Sequence, residues 1–140
     1  GIDGRKIYIR SSHSALNALF QSGGAIVMKV SMVILDHWIR QSGIEAIKVV
    51  DMHDESESEI PKGEIDLRVG TEQDLIGMQE EYEGKILTPI MHRQDGSLER
   101  AYTAYGEFAV KSIRKAGEVL KLRAELDAEY MVGKSWAEVH

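Results

Sequence analysis

His53-Asp54-Glu55 follows an apolar stretch, Ile47-Lys48-Val49-Val50-Asp51-Met52, and precedes a second short run from Ser56 to Ile60. A strand, tight turn and returning strand would display the two adjacent carboxylates at a hairpin tip. Neighbouring carboxylates disfavour each other's charge unless a cation neutralises them, so the pattern points to a divalent metal. Asp51 is the weaker candidate, because a regular strand turns it to the face opposite Asp54. The acid-rich run from Asp54 to Glu59 also fits a plain surface turn.

A second set of polar residues, His13, Asn17 and Gln21, recurs at i, i+4 and i+8. On a helix these residues form one line. Their donors and acceptors suit the edges of a nucleic-acid minor groove, which offers mainly acceptors whatever the base pair. Spacing alone fits a solvated helix face as well.

The elements that must carry these residues can be read from periodicity. Ser11 and Ser12 offer a cap, and Leu16, Leu19, Phe20, Ile26, Val27, Val30, Val33, Ile34 and Trp38 recur at steps of three and four. A helix from about Ser14 to Arg40 is predicted, some 40 Å long at about 1.5 Å per residue. Gly23-Gly24 interrupts it at roughly 1 kcal/mol per glycine, so a bend or a close neighbour is expected there, either another helix or a nucleic-acid backbone. Gln41-Ser42-Gly43 reads as the stop, and Ile44 to Met52 as the strand leading to the acidic tip.

Before the helix, Asp3-Gly4 is a hairpin turn signal and Lys6 to Arg10 alternates as a half-buried strand would. The other strand of that hairpin is missing and no methionine occurs before Met28. The expectation is a carboxyl-terminal piece of a longer polypeptide. From Pro61 to about Thr103 the pattern loosens, with a capped helix from Thr71 and Asp74 toward Tyr82 and a turn at Asp95-Gly96. This stretch reads as an insertion. A helix from Gly106 to about Leu120, with Ala109, Ile113, Ala116 and Leu120 on one side, should pack on a sheet. Leu122, Ala124, Leu126, Ala128, Tyr130 and Val132 then alternate with charged residues and predict a strand. Trp136 in the tail reads as a packing anchor.

Composition bounds the class. The chain has 140 residues, 43% of them hydrophobic, enough for one core and one domain or part of one. It lacks cysteine, which excludes disulfides and thiolate metal sites. No apolar run approaches a membrane span on this reading, and no membrane partner is expected. Gly1 to Arg40 carries five basic and two acidic residues, net +3; the whole chain is −6, leaving −9 beyond it. Only the first segment, with Arg10 among its cations, suits a polyanion.

The order of Gly-Ile-Asp-Gly-Arg at 1–5, Arg-Ser-Ser-His-Ser-Ala-Leu-Asn-Ala-Leu-Phe-Gln-Ser-Gly-Gly-Ala at 10–25, Met-His-Asp-Glu at 52–55 and Gly-Lys-Ser-Trp-Ala-Glu-Val-His at 133–140 resembles the carboxyl-terminal part of family A (DNA polymerase I-like) DNA polymerases. The bacteriophage replicative branch is the one it most resembles. The resemblance covers residues 1 to about 57 and about 105 to 140, and leaves the middle unmatched.

The resemblance implies an α+β fold, a partial polymerase palm subdomain. In it an antiparallel sheet with a hairpin packs on a long helix and a second helix, a final strand completes the sheet, and residues 61–103 are an insertion. It implies DNA-directed DNA synthesis, attack of a primer 3′-hydroxyl on a dNTP with release of pyrophosphate, using Mg2+. Asp54 matches the metal-binding carboxylate, Glu55 the neighbouring acid and His53 the histidine beside the primer terminus. His13, Asn17 and Gln21, with Arg10 nearby, match positions that meet primer-template DNA. The other metal-bridging aspartate and the nucleotide-binding helix belong upstream, so the isolated fragment is expected to be inactive and to need the upstream remainder of the polymerase. The setting implied is the cytoplasm of a virus-infected bacterial host. One departure stands out: Ser56-Glu57-Ser58 is polar where the family usually places an apolar residue. The alternative is a noncatalytic subunit or DNA-contacting module that completes a split polymerase. A small metal-dependent hydrolase using Asp54, His53 and Glu55 lacks any further sequence support.

Overall fold

A computed structural model describes residues 1–7, 15–52 and 55–139. Four helices and five strands are assigned among them: α1 (Ala15–Ser42), β1 (Ile47–Met52), β2 (Glu55–Glu59), β3 (Ile65–Gly70), α2 (Glu72–Glu81), β4 (Met91–His92), β5 (Leu98–Thr103), α3 (Ala104–Val119) and α4 (Trp136–Val139). The fold is α+β, with two small antiparallel sheets: a β1-β2 hairpin and a three-stranded sheet of order β3-β5-β4. This arrangement is compatible with part of a palm-like domain.

The long helix forms as its apolar period predicts, and it stops where Gly43, at φ +74°, donates its N–H to Ile39 O at 3.2 Å. The pair Gly23-Gly24 neither breaks nor bends it out of assignment, and a methyl at either would meet no atom within 4 Å. The expected close neighbour is therefore not supplied by the described residues. The expectation that no segment approaches a membrane span also needs correction. Residues 18–42 of α1 are long and apolar enough to cross one by length and composition, because scattered Lys29, Asp36 and Arg40 do not outweigh the apolar majority. Of these residues only Ile26 and Ser31 are buried.

The core lies mainly in the stretch whose pattern looked loose. Helix α2 is set by the predicted capping box: Thr71 Oγ1 accepts from the Asp74 N–H, and Asp74 accepts from the Thr71 N–H at 3.0 Å. Its Leu75 and Met78 are buried to 1%. They lie over the sheet, and Arg100 of β5 ties them there by donating to Leu75 O, Thr88 O and Gln79 Oε1. Asp95-Gly96 makes the expected turn, with Gly96 at φ +84° and Ser97 donating to Asp95 Oδ1. Residues 61–103 thus build a folded three-stranded unit of their own.

Two packing expectations were wrong. Helix α3 packs chiefly on α1, with Trp38 and Phe108 ring centroids 6.1 Å apart, and meets the three-stranded sheet mainly through β5. The side of α3 that carries Phe108 faces α1, while Gly106 and Gly117 receive Tyr130 and Leu126. The predicted final strand also does not form, and residues 122–132 make no ladder. Leu122, Leu126 and Tyr130 are half-buried while Ala124 and Ala128 are exposed, so the packing period is four residues. Alanine carries too little apolar surface for its place in an alternation to decide burial. Leu126 packs on Gly117 and Tyr130 on Gly106, and the Tyr130 hydroxyl donates to Ile86 O at 2.7 Å while accepting from the Thr103 N–H. The hydroxyl's pKa is pushed up to about 12 by burial, so it remains a donor at neutral pH. No strand is assigned at Lys6 and Ile7, and the rest of the strand expected there, Tyr8 to Arg10, lies outside the described residues.

Candidate functional site

The β1-β2 hairpin begins at Ile47, three residues later than expected, and its ladder runs Ile47↔Glu59, Lys48↔Ser58, Val50↔Glu57, Asp51↔Ser56 and Met52↔Glu55. A bulge falls between Lys48 and Val50. The pairing of Met52 with Glu55 brackets residues 53 and 54, as a two-residue hairpin connection would. His53 and Asp54 themselves lie outside the described residues, as do Arg10, His13 and the side chain of Asn17. Of the residues expected to do chemistry, only Gln21, Glu55 and the weaker candidate Asp51 are described with their side chains, and all three are exposed.

Among the described residues, the rung Lys48↔Ser58 ties the hairpin to both long helices. Lys48 Nζ pairs with Asp51 and lies 3.2 Å from Met32 Sδ on α1. Opposite Lys48, Ser58 Oγ shares a hydrogen bond of 2.6 Å with the Tyr105 hydroxyl on the first turn of α3. Burial raises the Tyr105 pKa, although the Ser58 bond opposes the shift, and Asp51 adds to the rise. The polar returning strand therefore has a partner for its half-buried hydroxyl, Ser58. The sequence reading missed Tyr105. The available signal was a tyrosine two residues past the expected end of the loose segment, together with a strand too polar to be held by burial.

The donor chemistry can be weighed against a metal. Glu55 brings a carboxylate, the hard oxygen donor that suits Mg2+. Among the described residues no three His, Asp or Glu side chains are grouped to hold an ion. A metal site here would need Asp54 and at least one donor beyond the described residues.

A second charged cluster sits on β5 and α3. Glu107 is 5% exposed; burial alone would raise its pKa, but the Lys111 ammonium at 2.6 Å, Tyr102 and Lys85 outweigh that and hold it below the usual range. Its Oε2, and Thr103 Oγ1 one turn earlier, are buried without a hydrogen-bond partner among the described residues.

No protein-family model matches the chain. Over its whole length, in an alignment of 147 residues, it is 28% identical to the DNA-directed DNA polymerase of Escherichia phage Phieco32, of which it covers 18%. The chain is similar to part of DNA-directed DNA polymerases. A 45-residue match at 40% identity to the phage T7 enzyme covers 32% of this chain and 6% of that protein. DNA polymerase I of Pseudomonas aeruginosa matches at 34% over 64 residues, 37% of this chain and 7% of the relative. The chain thus spans under one fifth of the length of each of these relatives. The Phieco32 alignment includes residues 61–103, which the sequence reading had left unmatched.

Proposed function

We propose that this chain is a palm portion of a family A DNA polymerase of phage type, and that residues 61–103 are an insertion carried by that palm. The supporting observation is the hairpin. Its ladder closes on Met52 and Glu55, around the two residues that the polymerase resemblance assigns to the primer terminus and the metal. Asp54, with Glu55 beside it, would hold Mg2+, and His53 would lie against the primer end. When bound, Mg2+ would lower the pKa of the primer 3′-hydroxyl and neutralise the leaving phosphates. Gln21 on exposed α1, with Asn17 and His13 before it, would meet the primer-template minor groove, and Arg10 a phosphate. The parent enzyme would act on dNTP in the cytoplasm of an infected bacterium.

The accessible surface supports a partner that completes the chain. At 9991 Å2 it stands roughly a third above the ~7,300 Å2 expected of a compact 15.7 kDa monomer. Leu19, Phe20 and Val33 on α1 are among the exposed apolar side chains. The same surface favours a second reading, a noncatalytic module that completes a polymerase encoded on another chain. Continuous upstream coding sequence with the missing motifs selects the first reading, and an initiating methionine directly before Gly1 selects the second.

Primer extension with Mg2+ tests the function. The 140-residue chain alone, the chain mixed with the upstream segment, and the same mixture with Asp54→Ala should give synthesis only in the second. Synthesis by the chain alone, or an unaffected Asp54→Ala mixture, refutes the proposal.

A further inference from the structure

We propose that Tyr105 is a positioning residue for the acidic hairpin, fixing the direction of the tip through its bond to Ser58. The inference rests on the reading that the tip carries the metal-binding acids. A two-stranded ribbon is marginal by itself, and this one forms a sheet separate from β3-β5-β4. Nor does burial hold it: Ile47 is 67% and Val49 54% exposed, and β2 reads Glu-Ser-Glu-Ser-Glu. Among the described residues, the rung Lys48↔Ser58 reaches α1 at Met32 from one strand and α3 at Tyr105 from the other. The rung is three pairs from the end of the ladder, so a tilt there is transmitted to Glu55.

The position of Tyr105 is itself set by the 61–103 unit. Strand β5 ends at Thr103 and α3 begins at Ala104 without a linker, which places Tyr105 two residues past the sheet. Thr103 is held twice, by pairing with Ile65 and by the Tyr130 hydroxyl. The unit that reads as an insertion thus braces the hairpin, and a hydroxyl pair replaces apolar packing of the returning strand.

The test uses the full-length polymerase that carries this chain. Tyr105→Phe and Ser58→Ala should each lower kcat about three- to tenfold with the dNTP KM unchanged, and the double variant should lose no more than either alone. Ser58→Thr, which keeps the hydroxyl, should restore the rate. Without Mg2+, amide exchange at 55–58 should quicken in Tyr105→Phe and Ser58→Ala while α2 keeps its protection. Unchanged kcat, additive losses, or unaltered exchange at 55–58 overturns the bracing role. Asp54→Ala in the same enzyme separates the two ideas: if it abolishes synthesis while Tyr105→Phe is silent, only the brace is wrong, and if it is silent, the metal reading fails and takes the brace with it.

Discussion

Arg68 serves two carboxylates and a ring at once, which makes its partners sensitive to acid. Its guanidinium donates to Asp66 and Glu81 and lies 5.5 Å from the Tyr82 ring centre, while the Tyr82 hydroxyl donates to Asp66. The Arg68 bond, and then the Tyr82 bond, hold Asp66 below the usual carboxylate range. A depressed folded pKa contributes stability above the ordinary value, about pH 4, and that contribution disappears as pH falls through the folded value. Both partners are about one third exposed, so the pair is worth no more than about 1 kcal/mol. Asp66→Asn should therefore lower the urea midpoint at pH 7, and the gap from the parent chain should narrow as pH falls below about 4. A gap that stays constant across that range would show that charge is not the cause.

At the scale of elements, two glycines make opposite forecasts for the same substitution. A methyl at Gly106 of α3 would come within 2.4 Å of the Tyr130 ring, whose hydroxyl is fixed at both its bonds and cannot swing aside. Gly106→Ala should cost about 1–3 kcal/mol by overpacking. At Gly77 of α2 the same methyl meets nothing within 4 Å, and Gly77→Ala should gain up to about 1 kcal/mol of helix propensity. Thermal melting of both variants checks the pair, and equal shifts of one sign would sink the packing argument. The contrast also marks what was legible in the chain. Local signals resolved well: the α1 period, the Thr71-Asp74 box, the Gly43 stop and the hairpin at 47–59 are all decided by neighbours in sequence. Tertiary choices were not legible. The alternation at 122–132 could not say that Tyr130 would clasp Gly106, because a ladder partner and a helix face leave the same trace in one strand's pattern. Likewise the apolar line on α3 does not name α1 as its partner. The site was legible only as a hairpin with acids at its tip, and the Tyr105-Ser58 bond joins residues 47 positions apart that no local rule connects.

For the whole molecule, the distribution of charge limits what the chain can do alone with DNA. Of the cations in the first forty residues, Arg5 is held by Asp3 and Arg40 by Asp36. That leaves Lys6 and Lys29 among the described residues, and Arg10 outside them, against −9 in the remainder. Each neutralised phosphate steepens the fall of log affinity with log salt by about 0.9, so three cations predict a slope of about −3 for duplex binding by the isolated chain. Fluorescence anisotropy between about 50 and about 200 mM salt measures it directly. A slope beyond about −6 would need about seven phosphate contacts, more than the five cations of the first forty residues, so residues 41–140 would have to supply the rest. The DNA footprint would then extend over the 61–103 unit or α3, and the division between a nucleic-acid face at α1 and an acidic, bracing remainder would have to be abandoned.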